Sequence, residues 1–126
     1  MMKKGFTLIE LVIVIVILGI LAVIGIPKYI DLSVTAKLNA SKASIGEIRA
    51  AVATKYAGSV VTGTGTPVFP SQVDETLFTE GKVPLNQLDP QSNAVKNDGV
   101  YDGTGGWVYY SATGSVESND TNRVVL

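Results

Sequence analysis

The chain has 126 residues, which fits a single domain, and 46% of them are hydrophobic, more than a small soluble fold usually carries. It contains no histidine and no cysteine, which excludes histidine acid–base catalysis, thiolate nucleophiles, disulfides and the usual zinc sites. No nucleic-acid partner is inferred for a chain whose net charge is −1. Because the usual catalytic side chains are missing, an enzyme is the least favoured class of function.

The apolar residues are concentrated between Leu8 and Ile26, where Glu10 is the only charged residue. As an α-helix this stretch is long enough to cross the ~30 Å hydrocarbon core of a bilayer. It is longer than the apolar core of a secretory signal peptide, and no small-x-small cleavage site follows it. Lys3 and Lys4 precede it, so the N-terminus is expected in the cytoplasm and the C-terminal part across the membrane. We predict a membrane-spanning helix over residues 6–27.

A helical period continues past the membrane and predicts an amphipathic helix, here called the stem, over residues 28–58. Its apolar stripe has a single polar interruption and consists of Ile30, Val34, Leu38, Ser41, Ile45, Ile48, Val52 and Tyr56. Alanines around this stripe raise the helix propensity. The helix is expected to end near Gly58, where "AGSVVTGTGTP" becomes rich in glycine and threonine.

Residues 59–126, here called the head, are too few to bury a large core of their own and are predicted to fold against the stem. "PSQVDETLF", from Pro70 to Phe78, predicts a short helix with Ser71 as its N-cap. "GGWVYYS" and "GSVESN" predict two strands joined by a turn around residues 112–114, and "NRVVL" predicts a third strand.

Trp107 is the only tryptophan and lies in the most strand-like segment of the head. A buried indole contributes more apolar area than any other side chain there, so we predict that Trp107 anchors the head to the stem. The predicted fold class is therefore α+β: a long N-terminal helix, half membrane-spanning and half amphipathic, packed against a small antiparallel sheet.

The stretch "KKGFTLIE" has a short basic leader, a glycine, a phenylalanine and a glutamate four residues further on. It resembles the processing site of the type IV pilin and type II secretion pseudopilin superfamily, and the resemblance extends over residues 3 to about 57. The resemblance implies that a prepilin peptidase cuts between Gly5 and Phe6, removes the leader of residues 1–5, and methylates the new amine of Phe6.

Insertion of an acidic residue such as Glu10 at the centre of the bilayer costs ~2.5 to 3.5 kcal/mol, and acidic residues in membrane spans usually have a function. The resemblance implies that, in a filament, Glu10 of one subunit neutralises the ammonium at Phe6 of a neighbour. The alternative is that Glu10 lies near the cytoplasmic interface and reaches the headgroups at little cost.

Gly19 and Pro27 weaken the helix, since glycine costs ~1 kcal/mol relative to alanine and proline removes a backbone donor. The resemblance implies that the stretch around residues 19–27 melts in some assembled pili. A simple kink at Pro27 is the alternative that the residues themselves allow.

Asp98, Asp102 and Asp120 are candidate calcium ligands in loops of the head, and some pseudopilins that resemble this chain bind calcium in such loops. Nothing matches the EF-hand spacing, which favours solvated turn residues over a metal site. No cofactor is therefore expected, and the sequence leaves open whether calcium binds.

Together these features predict a non-enzymatic, structural subunit of a type IV pilus-like filament, polymerised through its N-terminal helix. The implied partners are copies of the chain, the prepilin peptidase, the inner-membrane assembly machinery, and membrane lipid before assembly. The chain would cross the inner membrane once and then enter a periplasmic or cell-surface filament. The alternatives are a pseudopilin of a type II secretion system and a monomeric, membrane-tethered binding module.

Overall fold

The computed structural model describes residues 5–63 and 66–126, so the predicted leader lies outside the described residues except for Gly5. The first element is a single helix, α1 (Leu8–Val61), which continues through Pro27. It ends three residues later than predicted, because Gly63 and not Gly58 adopts the left-handed backbone, with φ +63°, that terminates helices. Gly58 is accommodated as an ordinary helical residue.

The chain divides into two compact units, one up to Thr35 and one from Ala36 onward. In the first unit, every large apolar side chain from Leu8 to Ile26 is exposed, with exposed fractions between 39% at Val12 and 80% at Leu8. A helix that is apolar all round is typical of a segment surrounded by lipid or by other helices. By length and composition, α1 contains a stretch that is able to cross a membrane.

The second unit contains a three-stranded sheet in the order β1 (Val95–Lys96), β2 (Trp107–Tyr110), β3 (Ser115–Ser118). The pair β2–β3 is antiparallel and is joined by the predicted turn, in which the amide of Gly114 donates to the carbonyl of Tyr110 at 2.8 Å. The pair β1–β2 is parallel, so the sheet is mixed where a purely antiparallel one was expected. The α+β fold class is confirmed.

The predicted third strand, "NRVVL", was wrong: none of residues 122–126 forms a strand. The cause is the Asp120 carboxylate, which accepts hydrogen bonds from the amides of Asn122 at 3.0 Å and Val124 at 3.0 Å. Since these amides are bonded to a side chain, they are not available to a β-ladder.

The predicted helix from Pro70 to Phe78 was also wrong in extent and in its cap. Only a 3₁₀ turn, Glu75–Leu77, is present, and its N-cap is Asp74, whose carboxylate accepts from the amide of Thr76. The Asn97 side chain accepts from the amide of Val73 at 2.7 Å and donates to its carbonyl, so both backbone groups of Val73 are taken before a helix can begin.

The core of the second unit lies between α1 and the sheet. From α1 it takes Ile45, Ile48 and Val52, and from the rest of the unit Val73, Phe78, Val83, Trp107, Tyr109 and Val116. The predicted stripe is therefore buried only in its middle, since Ile30 and Val34 are 60% and 61% exposed. Gly106 precedes β2 with φ +79°, and a Cβ atom there would collide with the carbonyl of Ala94, so only glycine fits where the strand begins.

Candidate assembly site

The Gly5–Phe6 bond lies in non-helical backbone just before α1. Phe6 is 91% exposed, and the space where a Cβ of Gly5 would point is open. A peptidase needs its scissile bond outside a helix and free of packing contacts, and this bond meets both conditions.

Thr7 and Glu10 form a reciprocal pair of hydrogen bonds at the start of α1. The amide and the hydroxyl of Thr7 each donate to one carboxylate oxygen of Glu10 at 2.8 Å, and the hydroxyl accepts from the amide of Glu10 at 3.3 Å. This is a capping box, which satisfies two of the helix's unpaired backbone donors. Glu10 is therefore well placed near the positive end of the helix dipole.

The contact between Thr7 and Glu10 was not predicted, although the sequence contains a pattern that indicates it. Thr7-x-x-Glu10 directly before an apolar run is the capping-box pattern, because the two side chains must lie three residues apart to reach each other's amides. The box satisfies Glu10 by hydrogen bonding with a neutral side chain and amide, which supply no positive charge. Among the described residues, the only ion pair joins Lys96 to Asp102, so no cation from residues 5–63 or 66–126 pairs with Glu10.

Gly19 and Pro27 both lie within α1, and the helix is uninterrupted at either position. A Cβ atom at Gly19 would meet nothing within 4 Å, so the glycine is not required by any contact in the described chain. Pro27 lacks an amide hydrogen, so the carbonyl one turn earlier has no helical donor. The melting of this stretch that the resemblance implies stays a prediction.

Trp107 lies on β2 and is completely buried in the second unit. Its indole nitrogen donates to the carbonyl of Pro84 at 2.8 Å, and the hydroxyl of the neighbouring Tyr109 donates to the carbonyl of Pro70 at 2.7 Å. Burial raises the pKa of the Tyr109 hydroxyl. Trp107 therefore belongs to the same cluster as the buried α1 residues.

The three candidate calcium ligands make contacts within the chain. Asp102 pairs with Lys96 and accepts from Thr104 and Asn119, and these contacts, Lys96 first, hold the pKa of Asp102 well below its ordinary value. Asp98 accepts from the amide of Val100, and the buried Asp120 accepts from Ser118. In residues 5–63 and 66–126, no group of three or more acidic residues is placed to hold a metal ion.

Residues 1–26 match the family model described as "Prokaryotic N-terminal methylation motif". The chain therefore carries a prokaryotic N-terminal methylation motif. The match covers the apolar segment, the capping box and the Gly5–Phe6 bond together.

The relatives of the chain are type IV pilins and fimbrial proteins. The "Type IV narrow pilus major component PilA5" of Thermus thermophilus is 46% identical over 67 residues, which is 53% of this chain and 54% of the relative. The "Type IV major fimbrial protein FimA" of Dichelobacter nodosus is 43% identical over 53 residues, 42% of this chain and 34% of the relative. The "Fimbrial protein EcpB" of Eikenella corrodens is 36% identical over 96 residues, 74% of this chain and 57% of the relative.

The chain thus spans between 34% and 57% of the length of these three relatives. No solved structure matches it significantly. The comparisons make the chain a homologue of type IV pilins.

Proposed function

We propose that the chain is a structural, non-catalytic subunit of a type IV pilus filament, cleaved before Phe6 and polymerised through its N-terminal helix. The observation that carries this proposal is the position of Glu10, which stands at the start of an exposed apolar helix, four residues after the exposed Gly5–Phe6 bond. Cleavage of that bond would create an ammonium next to a helix whose only acidic residue in this segment has no cationic partner among the described residues.

Assembly would be driven by close packing of the helices together with charge pairing at Glu10. Exposed apolar side chains from Leu8 to Ile26 gain nothing by leaving lipid for an equally apolar core, so packing and polar pairing must favour the filament. An ammonium and a carboxylate ~4 Å apart attract each other by about 4 kcal/mol at an effective dielectric constant near 20, before desolvation is subtracted. A neighbour's Phe6 amine would provide this attraction.

The implied partners follow from the same features: a prepilin peptidase, further copies of the chain, the inner-membrane assembly machinery, and lipid before assembly. The chain would be an inner-membrane precursor that becomes part of a cell-surface filament. The relatives are named as pilus or fimbrial proteins, which supports a pilus over a secretion pseudopilus or a tethered binding module. Cells that lack this protein should therefore lose surface filaments in electron micrographs, and unchanged filaments would contradict the pilus assignment.

Processing is tested by the mass of the mature protein. In cells with a prepilin peptidase, the mature chain should begin at a methylated Phe6, and Gly5→Val should leave the leader attached, because a branched side chain replaces one that has no Cβ. A matched control is Gly19→Val, which lies in open space in the helix and should be processed normally. A mature start beyond residue 20 would refute the proposed processing.

The role of the Glu10 charge is tested by separating it from the capping box. Glu10→Gln keeps an oxygen that can accept from Thr7 but removes the charge, whereas Thr7→Val removes the capping hydroxyl and keeps the charge. We expect polymer in the sheared surface fraction to fall sharply for Glu10→Val and to an intermediate level for Glu10→Gln, while Thr7→Val has the smaller effect.

Membrane insertion is the control for these variants. Glu10→Val makes the span more apolar, so the amount of protein in the inner membrane should be unchanged or higher. Loss of polymer without loss of membrane protein places the defect in assembly. If Glu10→Gln polymerises like the wild type while Thr7→Val fails, then Glu10 acts only as a helix cap, and the charge-pairing part of the proposal is wrong.

A further inference from the structure

The helix changes character immediately after Pro27. The segment 28–34 alternates polar and apolar residues, with Lys28, Tyr29, Asp31 and Ser33 among Ile30, Leu32 and Val34. All of these side chains are exposed, and the apolar ones and Tyr29 are between 60% and 75% exposed. Within the described residues, Lys28 forms no ion pair. These side chains therefore need an environment that accepts both kinds of group.

The geometry of the alternation decides between two kinds of partner. Residues two apart on an α-helix point about 200° apart, so Leu32 lies on the opposite side of the helix from Ile30 and Val34. A single protein partner would meet one face only and would leave apolar side chains exposed on the other. A layer that surrounds the helix and is itself part polar and part apolar fits all of them, and the lipid headgroup region is such a layer.

The position of the segment fits that layer as well. The apolar run that ends at Ile26 matches a hydrocarbon core of ~30 Å, and the headgroup region adds roughly 5 to 7 Å on each side. Segment 28–34 begins directly at that boundary and rises about 9 Å between its first and last residues at 1.5 Å per residue. Tyrosine is enriched at this depth, and the lysine ammonium can reach lipid phosphates there.

We propose that segment 28–34 is an interfacial anchor, in which Tyr29 binds at the glycerol level and Lys28 pairs with phosphates of anionic lipid. This inference rests on the proposed membrane-inserted precursor. It adds that segment 28–34 fixes the depth at which the helix is inserted. The anchor would hold residues from Thr35 onward outside the bilayer and keep the Gly5–Phe6 bond at a constant depth on the opposite side.

The experiment uses the full chain in vesicles of phosphatidylcholine with phosphatidylglycerol. Because the chain has no cysteine, single cysteines at Ser33 and, separately, at Val16 can carry an environment-sensitive fluorophore. Both side chains are exposed, so the label disturbs no packing. Quenching by spin labels at the lipid headgroup and at the bilayer centre then gives the depth of each position.

We expect the label at residue 33 to be quenched more by headgroup spin labels, and the label at residue 16 more by centre spin labels. In the double variant Lys28→Gln/Tyr29→Ala, the headgroup-to-centre quenching ratio at residue 33 should change at least about twofold, because the depth is no longer held. Tyr29→Trp should keep the wild-type ratio, since tryptophan prefers the same depth. Lys37→Gln is the matched control beyond the segment and should have no effect.

Three results would overturn the inference, and they differ in what else they refute. An unchanged ratio at residue 33 in the double variant, with residue 16 still central, refutes the anchor and leaves the proposed function standing. A residue-16 label outside the bilayer centre refutes the membrane-spanning helix as well. A residue-33 label that is in water in vesicles and becomes shielded only in polymer assigns the segment to contact with a second copy.

Discussion

The Ser41 hydroxyl on α1 donates a hydrogen bond of 2.9 Å to the side-chain oxygen of Asn86, and both side chains are fully buried. The same hydroxyl accepts from the amide of Gln87 at 2.9 Å, and the Asn86 amide group donates to the carbonyl of Gly106 and to Ser118. The single polar residue in the stem's stripe is thus a second, polar contact between α1 and the rest of the unit. This contact is directional, so it fixes the rotation of α1, which apolar contacts alone specify less strictly.

All of these contacts lie in the unit from Ala36 onward, so deletion of residues 1–28 should leave a soluble, folded monomer. The deletion removes the exposed apolar span that promotes aggregation and keeps every buried residue of α1. Circular dichroism and size-exclusion chromatography check this expectation. A disordered or aggregated product would show that the head requires filament neighbours to fold.

In that shortened chain, Ser41→Ala should lower the free energy of unfolding by about 1 to 3 kcal/mol, because the buried Asn86 side chain loses a donor and the half-buried amide of Gln87 loses its acceptor. The matched control is Ser44→Ala on the next turn, since that hydroxyl makes no side-chain hydrogen bond within the described residues and its loss should have little effect. Urea unfolding of both variants gives the comparison. Equal stabilities would show that water replaces the Ser41 hydroxyl.

Trp107→Ala should lower the free energy of unfolding by about 3 to 5 kcal/mol. This is a large fraction of the total stability of a small domain, and the described chain has no disulfide to compensate for the loss. Trp107→Phe keeps much of the apolar area and loses only the donor to Pro84, so its cost should be smaller. Emission of the single tryptophan provides an independent measurement. A maximum like that of free indole in water would contradict its burial.

The exposed pair of Lys96 and Asp102 should make stability depend on pH in the acid range. The hydrogen bond from Lys96, then those from Asn119 and Thr104, lowers the pKa of Asp102 from its ordinary value of 3.8, and Asp102 raises the pKa of Lys96. A carboxylate whose pKa is lower in the folded state stabilises the fold above pH 3.8, and this contribution is lost as the pH falls from 3.8 through the folded pKa.

The thermal midpoint of Asp102→Asn should therefore lie below that of the wild type near about pH 6, and the two should converge toward about pH 2. The difference should also shrink in high salt, because the pair is exposed. Glu80→Gln removes an exposed charge that has no ion-pair partner among the described residues, and it should show neither trend. A difference that stays constant down to the lowest pH would assign the effect to altered hydrogen bonding.

The long helix and the β2–β3 hairpin were predictable because their signals repeat. Each buried residue of α1, from Ser41 to Val52, recurs at the helical period, and "WVYY" and "SVES" flank a turn that ends in a glycine. These patterns are local and depend little on the rest of the chain.

What could not be predicted depends on side chains that hydrogen-bond to the backbone, either nearby in the sequence or far from it. The Asp120 carboxylate accepts hydrogen bonds from amides that "NRVVL" would need to form a strand. The Asn97 side chain accepts from the amide of Val73, where a helix was predicted. Strand β1 has only two residues, too few to show any alternation. At the candidate site, the Gly5–Phe6–Glu10 motif is visible in the sequence, but the contact of Glu10 with Thr7 was not predicted, because the charge of Glu10 points to a cation as its partner and not to a hydroxyl three residues before it.

The core of the second unit joins residues that are far apart along the chain: Arg49 on α1 donates to the carbonyl of Val116, and Val52 lies in one cluster with Trp107. Such separations predict slow folding, because long loops must close before any of these contacts forms. Synthesis at ~5 to 20 residues per second places roughly 3 to 11 s between the emergence of Val52 and of Trp107. Until Trp107 and the strands β2 and β3 emerge, the cluster that contains Val52 is incomplete, whereas the first segment of the chain is already available for insertion into the membrane.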